Sequence, residues 1–415
     1  MNVLILGSGG REHALAYVFN KSSRCSNLFV MPGNPGIADI ATCINGDPLD
    51  HNKVKEIVKK YNINLVVPGS EVYLENGIAD EFTNSNVIVF GPSKKAAQIE
   101  SSKEFAKDLM KKYDIPTAKF EVFSNYLEAV QYIEKEGTPI VIKYDGLAGG
   151  KGVVVAMNQR DAIKALHDML IIKKYGNDNV IIEEYLEGPE FSLMCFVHQN
   201  TIIPMPIAQD HKRLLDDDKG PNTGGMGIYS SVPIINDDVI SETMDTIMKP
   251  TINALTTMNT PFTGFLYGGI MLTKTGPKVI EFNARFGDPE AEVILPKLES
   301  DILDIISNVM SNKVIPVKWS KAYHVGVVLA SEGYPNEYSR GHPITELEAC
   351  DDLVFHMGTK RQDNMLVTSG GRVLLVTGSA KTLEKAIEKA YTNVQKVKCP
   401  NLIYRSDIGK KSITR

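Results

Sequence analysis

Lys143-Tyr144-Asp145-Gly146-Leu147-Ala148-Gly149-Gly150-Lys151-Gly152-Val153 is the stretch on which the fold turns. Short apolar runs rich in β-branched residues flank it, at 140–143 and 153–156, so the whole reads as a hairpin with a glycine-rich tip. A P-loop is the competing reading, and the spacing rejects it. Asp145 stands where the first glycine of that motif belongs, and Lys151 is followed by Gly152 instead of Ser or Thr. A strand also follows where a helix is needed. What remains is a flap able to close over phosphates, with the ammonium groups of Lys143 and Lys151 neutralising charge. An idle hairpin tip would not account for two lysines.

Upstream of the flap, apolar runs at 3–6, 28–31, 65–67 and 87–90 alternate with amphipathic helical stretches beginning near Glu12 and spanning 53–60. Strand–helix alternation with short connections predicts a parallel sheet covered on both faces. Three Gly- and Pro-containing loops, 7–10, 32–36 and 68–71, fall at the carboxyl ends of its strands, where ligands of open α/β sheets bind. One helix is predicted near 95–113, stopping before Pro116. The pattern then becomes α+β: strands at 180–185, 191–197 and 202–205, a polar glycine-rich loop at 210–229, strands at 268–272 and 277–282, and a helix from roughly 290 to 310. After Lys318 come strands near 324–329 and 372–377 and a helix through 382–397. The expected fold class is therefore α/β and α+β multidomain. It comprises an N-terminal parallel α/β domain (1–102), a central domain (103–312, flap subdomain about 117–189) and a small C-terminal α+β domain (318–415).

Composition narrows the function. The 415 residues carry 45 Lys plus Arg against 50 Asp plus Glu, a formal charge of -5, which excludes a whole-protein basic field for nucleic acid. Phosphate binding must then rely on cations concentrated in a few loops. Five scattered cysteines without a C-x-x-C pair suggest neither a disulfide framework nor a zinc site. No stretch is long and apolar enough to span a bilayer, and the N-terminal residues read as a first strand and not a signal peptide. A cytoplasmic protein with no nucleic-acid or membrane partner is expected.

Four further segments carry chemistry. In Gly7-Ser8-Gly9-Gly10-Arg11-Glu12-His13, Glu12 replaces the third glycine of a dinucleotide fingerprint, leaving either a single-phosphate site using Arg11 or a plain tight turn. Ile182-Glu183-Glu184-Tyr185-Leu186-Glu187-Gly188-Pro189-Glu190 ends a strand in an acidic turn. That turn suits an adenine connector with a carboxylate for a ribose, and equally an acidic hairpin end. Gln209-Asp210-His211-Lys212-Arg213, followed by Gly220-Pro221-Asn222-Thr223-Gly224-Gly225-Met226-Gly227, clusters cationic groups suited to an anionic substrate. His211 taken alone reads as a structural histidine. In Val279-Ile280-Glu281-Phe282-Asn283-Ala284-Arg285-Phe286-Gly287-Asp288-Pro289-Glu290, residues two apart share a strand face, so Glu281 and Asn283 point together. Their oxygens suit a hard divalent cation completed by phosphate and water, with Arg285 placed to stabilise a transferring phosphoryl group.

Together these motifs resemble the phosphoribosylamine–glycine ligases, the glycinamide ribonucleotide synthetases of purine biosynthesis, which are ATP-grasp enzymes. The resemblance runs through nearly the whole chain, including Ser331-Glu332-Gly333-Tyr334-Pro335, Thr368-Ser369-Gly370-Gly371-Arg372-Val373 and Asp407-Ile408-Gly409. It implies that ATP, glycine and 5-phosphoribosylamine give ADP, phosphate and glycinamide ribonucleotide through glycyl phosphate, with Mg²⁺ or Mn²⁺, in a monomer. It also implies roles. Lys103, Lys143 and Lys151 would contact ATP phosphates; Glu183, Tyr185 and Leu186 would line the adenine connector, and Glu190 would hold the ribose. Glu281 and Asn283 would be the metal ligands. Arg285, Asp210 and Lys212 would act in catalysis. Gly9, Gly10, Arg11, Glu12, His211, Arg213, Asn222, Thr223, Gly224, Gly225 and Asp288 would serve the substrates. The chain departs from the family at Tyr73, where Pro is usual, at 214–218 (LLDDD), usually richer in glycine, and at Glu292, where Gln is common and where a carboxylate adds negative charge near the metal strand. Residues 265–273 contain no Asp or Glu, so a second acidic metal ligand found in many ATP-grasp proteins is missing and metal affinity without nucleotide should be weak.

Overall fold

The computed structural model describes residues 1–146 and 152–413. Five parallel strands open the chain, ordered Thr42–Cys43, Asn27–Pro32, Asn2–Gly7, Leu65–Pro68 and Ile88–Val89. The central strand is buried on both faces. Val3 and Ile5 pack with Ala14 and Leu15 of the helix Gly10–Asn20, while Leu4 and Leu6 share the opposite cluster with Val54 and Ile57 of the helix His51–Lys60. Near-continuous apolar runs are what two-sided burial demands of a parallel sheet.

The flap subdomain is an antiparallel sheet ordered Phe120–Phe123, Val180–Glu184, Ile140–Tyr144, Val153–Ala156. Its helices Tyr126–Glu136 and Gln159–Leu166 give it a small core of its own, with Ala129, Ile133, Ile142 and Leu166. The hairpin predicted from residues 140–156 is present, with Lys143 opposite Val153 and Tyr144 N donating to Gly152 O at 2.8 Å. Residues 147–151, including the flap lysine Lys151, lie outside the described residues. A second antiparallel sheet is ordered Thr201–Pro204, Glu190–His198, Thr263–Thr273, Gly276–Asn283.

Three sequence expectations change. The helix predicted near 95–113 is two helices, Lys94–Ser101 and Lys103–Lys112, because Ser102 leaves the helical region and its Oγ accepts from Phe105 N at 3.1 Å. The helix predicted from 290 to 310 is likewise broken. Ala291–Ile294 runs into a 3-10 turn holding Pro296, and Asp301 caps a separate helix, Ile302–Met310, by accepting from Leu303 N and Asp304 N. The 210–229 loop contains strands. Gln209–Asp210 and Gly227–Ser230 join the C-terminal sheet through Tyr323–Ser331, which pairs in turn with Arg372–Ala380. The substrate loop is therefore stitched to the C-terminal domain. Trp319, the single tryptophan, bridges Leu298 where the chain leaves the central domain, and it packs partly buried against the core.

Candidate active site

Lys143 and Glu183 lie on adjacent strands and both face inward. Glu183 is buried between two cations, with Lys143 Nζ 3.0 Å from Oε1 and Lys107 Nζ 3.1 Å from Oε2. Lys143 also donates to Ile280 O at 2.8 Å, tying the flap sheet to the strand that carries Glu281. Burial lowers the Lys107 pKa to about 8 against the pull of Glu183. The Glu183 carboxylate thus holds two lysines, one residue before the strand ends at Glu184. Tyr185 and Leu186 lie beyond that end, where Tyr185 is exposed. Lys103 Nζ donates to Gly146 O at 2.9 Å, and its backbone N donates to Asp145 Oδ1 at 2.6 Å, so the flap base and the helix start at Ser102 are fastened together.

Glu281 and Asn283 sit past a bulge in the pairing with Thr263–Thr273, opposite Gly269 and Tyr267, with Phe282 turned into the core between them. Lys212 Nζ lies 2.7 Å from Glu190 Oε1 and 3.8 Å from Glu281 Oε1. Burial disfavours the ammonium, but Glu190 and its acidic neighbours hold the Lys212 pKa well above the ordinary lysine range. Burial pushes Glu281 up, and the outweighing pull of Lys212, Lys143 and Lys103 leaves it below its ordinary value. The cradle therefore already accommodates a cation. Asn283 donates its amide nitrogen to Phe282 O, which leaves its oxygen available as an acceptor. One carboxylate and one amide oxygen fit a divalent ion that takes its remaining ligands from water and phosphate. Among the described residues no group of three or more His, Cys, Asp or Glu could hold a metal alone.

The residues expected to serve the substrates come together where all three regions meet. A Cβ on Gly9 would stand 3.7 Å from Asp288 Oδ2, and one on Gly10 would stand 2.2 Å from Glu292 Oε1. Asp288 pairs with Arg372 at 2.9 Å, and Arg372 donates to Gly224 O at 2.6 Å. Gly224 N donates to Tyr334 OH at 3.0 Å, and a Cβ on Gly225 would fall 2.7 Å from Asp210 Oδ1. Thr223 Oγ1 donates to Lys212 O and accepts from Gly225 N, fixing the second glycine segment against the first motif. Gly9, Gly10, Asp210, Lys212, Thr223, Gly224, Gly225 and Asp288 thus converge. Asp210 is half-buried with its Oδ1 buried and unpartnered, and desolvation together with Glu290 raises its pKa well above the carboxylate range. Glu292 is fully buried with neither oxygen hydrogen-bonded, and burial and then Asp288 raise its pKa strongly.

Other predicted groups have partners of their own within the protein. Glu12 Oε2 accepts from Gly9 N, and Arg11 donates to Gly69 O. His211 is buried, with Nε2 accepting from Gly409 N at 3.4 Å and Nδ1 unpartnered, and burial lowers its pKa to about 3. Arg213 donates to Gly220 O at 2.8 Å across a two-strand ribbon whose register sets it opposite Asn222. Arg285 is gripped by Glu71 (Nε–Oε2 3.2 Å) and Glu100 (Nη2–Oε1 2.9 Å), both from the N-terminal region. Sequence reasoning did not single out Glu71, Glu100 and Lys107, which contact Arg285, Arg285 and Glu183 respectively. Glu71 closes one of the flagged loops. Glu100 and Lys107 sit on amphipathic helices and carry no signal of their own.

Models of the phosphoribosylglycinamide synthetase family match the chain in three consecutive pieces: the N domain over residues 1–100, the ATP-grasp (A) domain over 101–291 and the C domain over 324–411. A phosphoribosylamine–glycine ligase from Halalkalibacterium halodurans is 51% identical, covering 100% of this chain and 97% of its own. One from Listeria innocua is 45% identical over 99% of this chain and 100% of its own. Among solved structures, the phosphoribosylamine–glycine ligase of Thermotoga maritima superposes with a TM-score of 0.86 at 36% identity, over 98% of this chain and 100% of that one. Biotin carboxylase from Campylobacter jejuni, 14% identical, shares the fold with a TM-score of 0.71 over 97% of this chain and 92% of its own. The chain belongs to the phosphoribosylamine–glycine ligase family.

Proposed function

We propose that the chain joins glycine to 5-phosphoribosylamine at the expense of ATP, giving glycinamide ribonucleotide, ADP and phosphate in purine biosynthesis. The observation that carries this is the adjacency of two half-sites: Lys103, Lys143, Glu281 and Arg285 on one side, and Gly9–Gly10, Asp288, Arg372 and Gly225 on the other, with Lys212 and Asp210 between them.

The chemistry needs no protein nucleophile. A glycine carboxylate oxygen bonds to the γ-phosphorus as the bond to the β,γ-bridging oxygen breaks, leaving ADP and glycyl phosphate. The phosphoribosylamine nitrogen then bonds to the acyl carbon, the carbon–oxygen bond to phosphate breaks, and the nitrogen loses a proton. Lys103 and Lys143 balance polyphosphate charge, and Arg285 stabilises the transferring group. Tyr185 and Leu186 line the adenine and Glu190 holds the ribose, exchanging its contact with Lys212. Glu281 and Asn283 would hold Mg²⁺ or Mn²⁺, which supplies charge neutralisation to the phosphates. Residues 1–102, 103–312 and 318–415 act as substrate, nucleotide and closing units of a cytoplasmic monomer.

The test is ADP release measured with each reactant omitted in turn. Release is expected only with glycine and freshly generated phosphoribosylamine together; equal turnover without glycine would overturn the reading.

A further inference from the structure

Glu71 stands between the two half-sites. It begins the short helix Glu71–Glu75 in the N-terminal region, and its Oε2 is 3.2 Å from Arg285 Nε and 4.0 Å from Arg11 Nη1. The far edge of Arg285 is 2.9 Å from Glu100 Oε1, and the other Glu100 oxygen accepts from Ala284 N at 2.7 Å. Arg11 donates to Gly69 O, and its Nε is buried without a hydrogen-bond partner. Burial raises the Glu100 pKa to about 7 against the pull of Arg285, and Arg11 Nη1 also lies 3.9 Å from Glu12 Oε1, so a row of alternating basic and acidic groups, Arg11–Glu71–Arg285–Glu100, runs from the loop beside the amine substrate to the strand end beside the transferring phosphoryl group. Burial pushes the Glu71 carboxyl up, but Arg285 and Arg11 bring it down to about 2, so it stays ionised at any working pH.

One carboxylate oxygen shared by two guanidinium groups makes each arginine sensitive to what the other binds. An anion that takes up Arg11 leaves Glu71 to Arg285 alone, and the two sites are then linked by a free energy that acts equally in both directions. We infer that Glu71 is a positioning residue coupling the half-sites: a phosphate monoester paired with Arg11 strengthens the Glu71 hold on Arg285 and fixes that guanidinium for phosphoryl transfer from ATP to glycine. This rests on the proposed reaction.

Positional exchange of the isotope-labelled β,γ-bridging oxygen of ATP, measured with glycine and Mg²⁺, reads the phosphoryl step alone. Ribose 5-phosphate serves as the probe, since it carries the phosphate and lacks the amine. In the unaltered enzyme it should accelerate exchange about fivefold or more, the lower range of measured couplings. In Glu71→Gln the acceleration should vanish while ribose 5-phosphate still binds, and Glu71→Asp should recover part of it. If Glu71→Gln does not fold, Glu71→Asp is the reading variant and should show a reduced acceleration. No acceleration in the unaltered enzyme, or the full acceleration in the folded variants, would overturn the coupling. Failure of the reaction itself is distinguishable: ATP would then show no glycine-dependent exchange with or without ribose 5-phosphate.

Discussion

Glu183 and Glu281 are both carboxylates facing lysines, yet burial assigns them different work. Glu183 is sealed between Lys107 and Lys143, so truncation would leave two uncompensated cations in the interior. Glu183→Ala should lower stability by about 3–5 kcal/mol, measured from urea unfolding, and raise the ATP requirement as Lys143 loses its anchor. Glu281 opens onto the Lys212 cradle and is expected to meet a metal ion. Glu281→Gln should therefore depress turnover at limiting Mg²⁺ far more than it weakens nucleotide binding in a direct titration. Equal rates at limiting Mg²⁺ would remove Glu281 from the metal site. The sequence revealed that Glu281 and Asn283 share a face because strand alternation is local. It hid the ion pairing of Glu183, because that depends on Lys107, a helical residue brought in by tertiary packing.

Two elements hold the site in shape from a distance. At the flap base, Asp145 accepts from the backbone N of Lys103 and Glu104, capping a helix distant in sequence. Asp145→Ala should destabilise that helix start by about 1 kcal/mol and raise the ATP KM, because Lys103 moves with it. A steady-state ATP titration with thermal unfolding on the same preparation checks both. At the other end, Arg405 is fully buried, pairs with Asp218 and Asp407 and donates to Arg213 O, while Asp216 accepts from Ser406 N. In the sequence, 214–218 stands out only as a stretch poorer in glycine than is usual. The acidic run is instead the anchorage of the substrate loop on the C-terminal segment, a contact between residues far apart that spacing cannot disclose. Arg405→Ala should raise the substrate KM more than the ATP KM. An equal rise in both would mean the anchorage serves the whole site.

Across the whole molecule, the N- and C-terminal domains meet through a pair of imidazoles. His13 Nδ1 accepts from His356 N at 3.0 Å, and their rings lie 5.6 Å apart. Burial lowers His13 to about 3 and His356 to about 4, below the usual imidazole value of about 6.5. Below pH 6.5 the unfolded chain therefore binds more protons than the folded one. The stability these two groups protect is complete above pH 6.5 and is lost progressively as pH falls toward 4 and 3. The urea midpoint should drop between pH 7 and pH 4.5, and less steeply in a His13→Gln, His356→Gln double variant. The strand–helix alternation of the first hundred residues and the flap hairpin were legible because their periodicity is local. The recruitment of Gln209–Asp210 and Gly227–Ser230 into the C-terminal sheet was not, because their partner strand lies about a hundred residues downstream.

Trp319 marks the seam between the central and C-terminal domains, and it is the only indole in the chain. Its emission, excited beyond the absorption of the 16 tyrosines, accordingly reports a single junction. A red shift during gentle denaturation, arriving before the loss of far-ultraviolet ellipticity, would reveal the seam opening ahead of the sheets. That gives the protein a built-in optical gauge requiring no label.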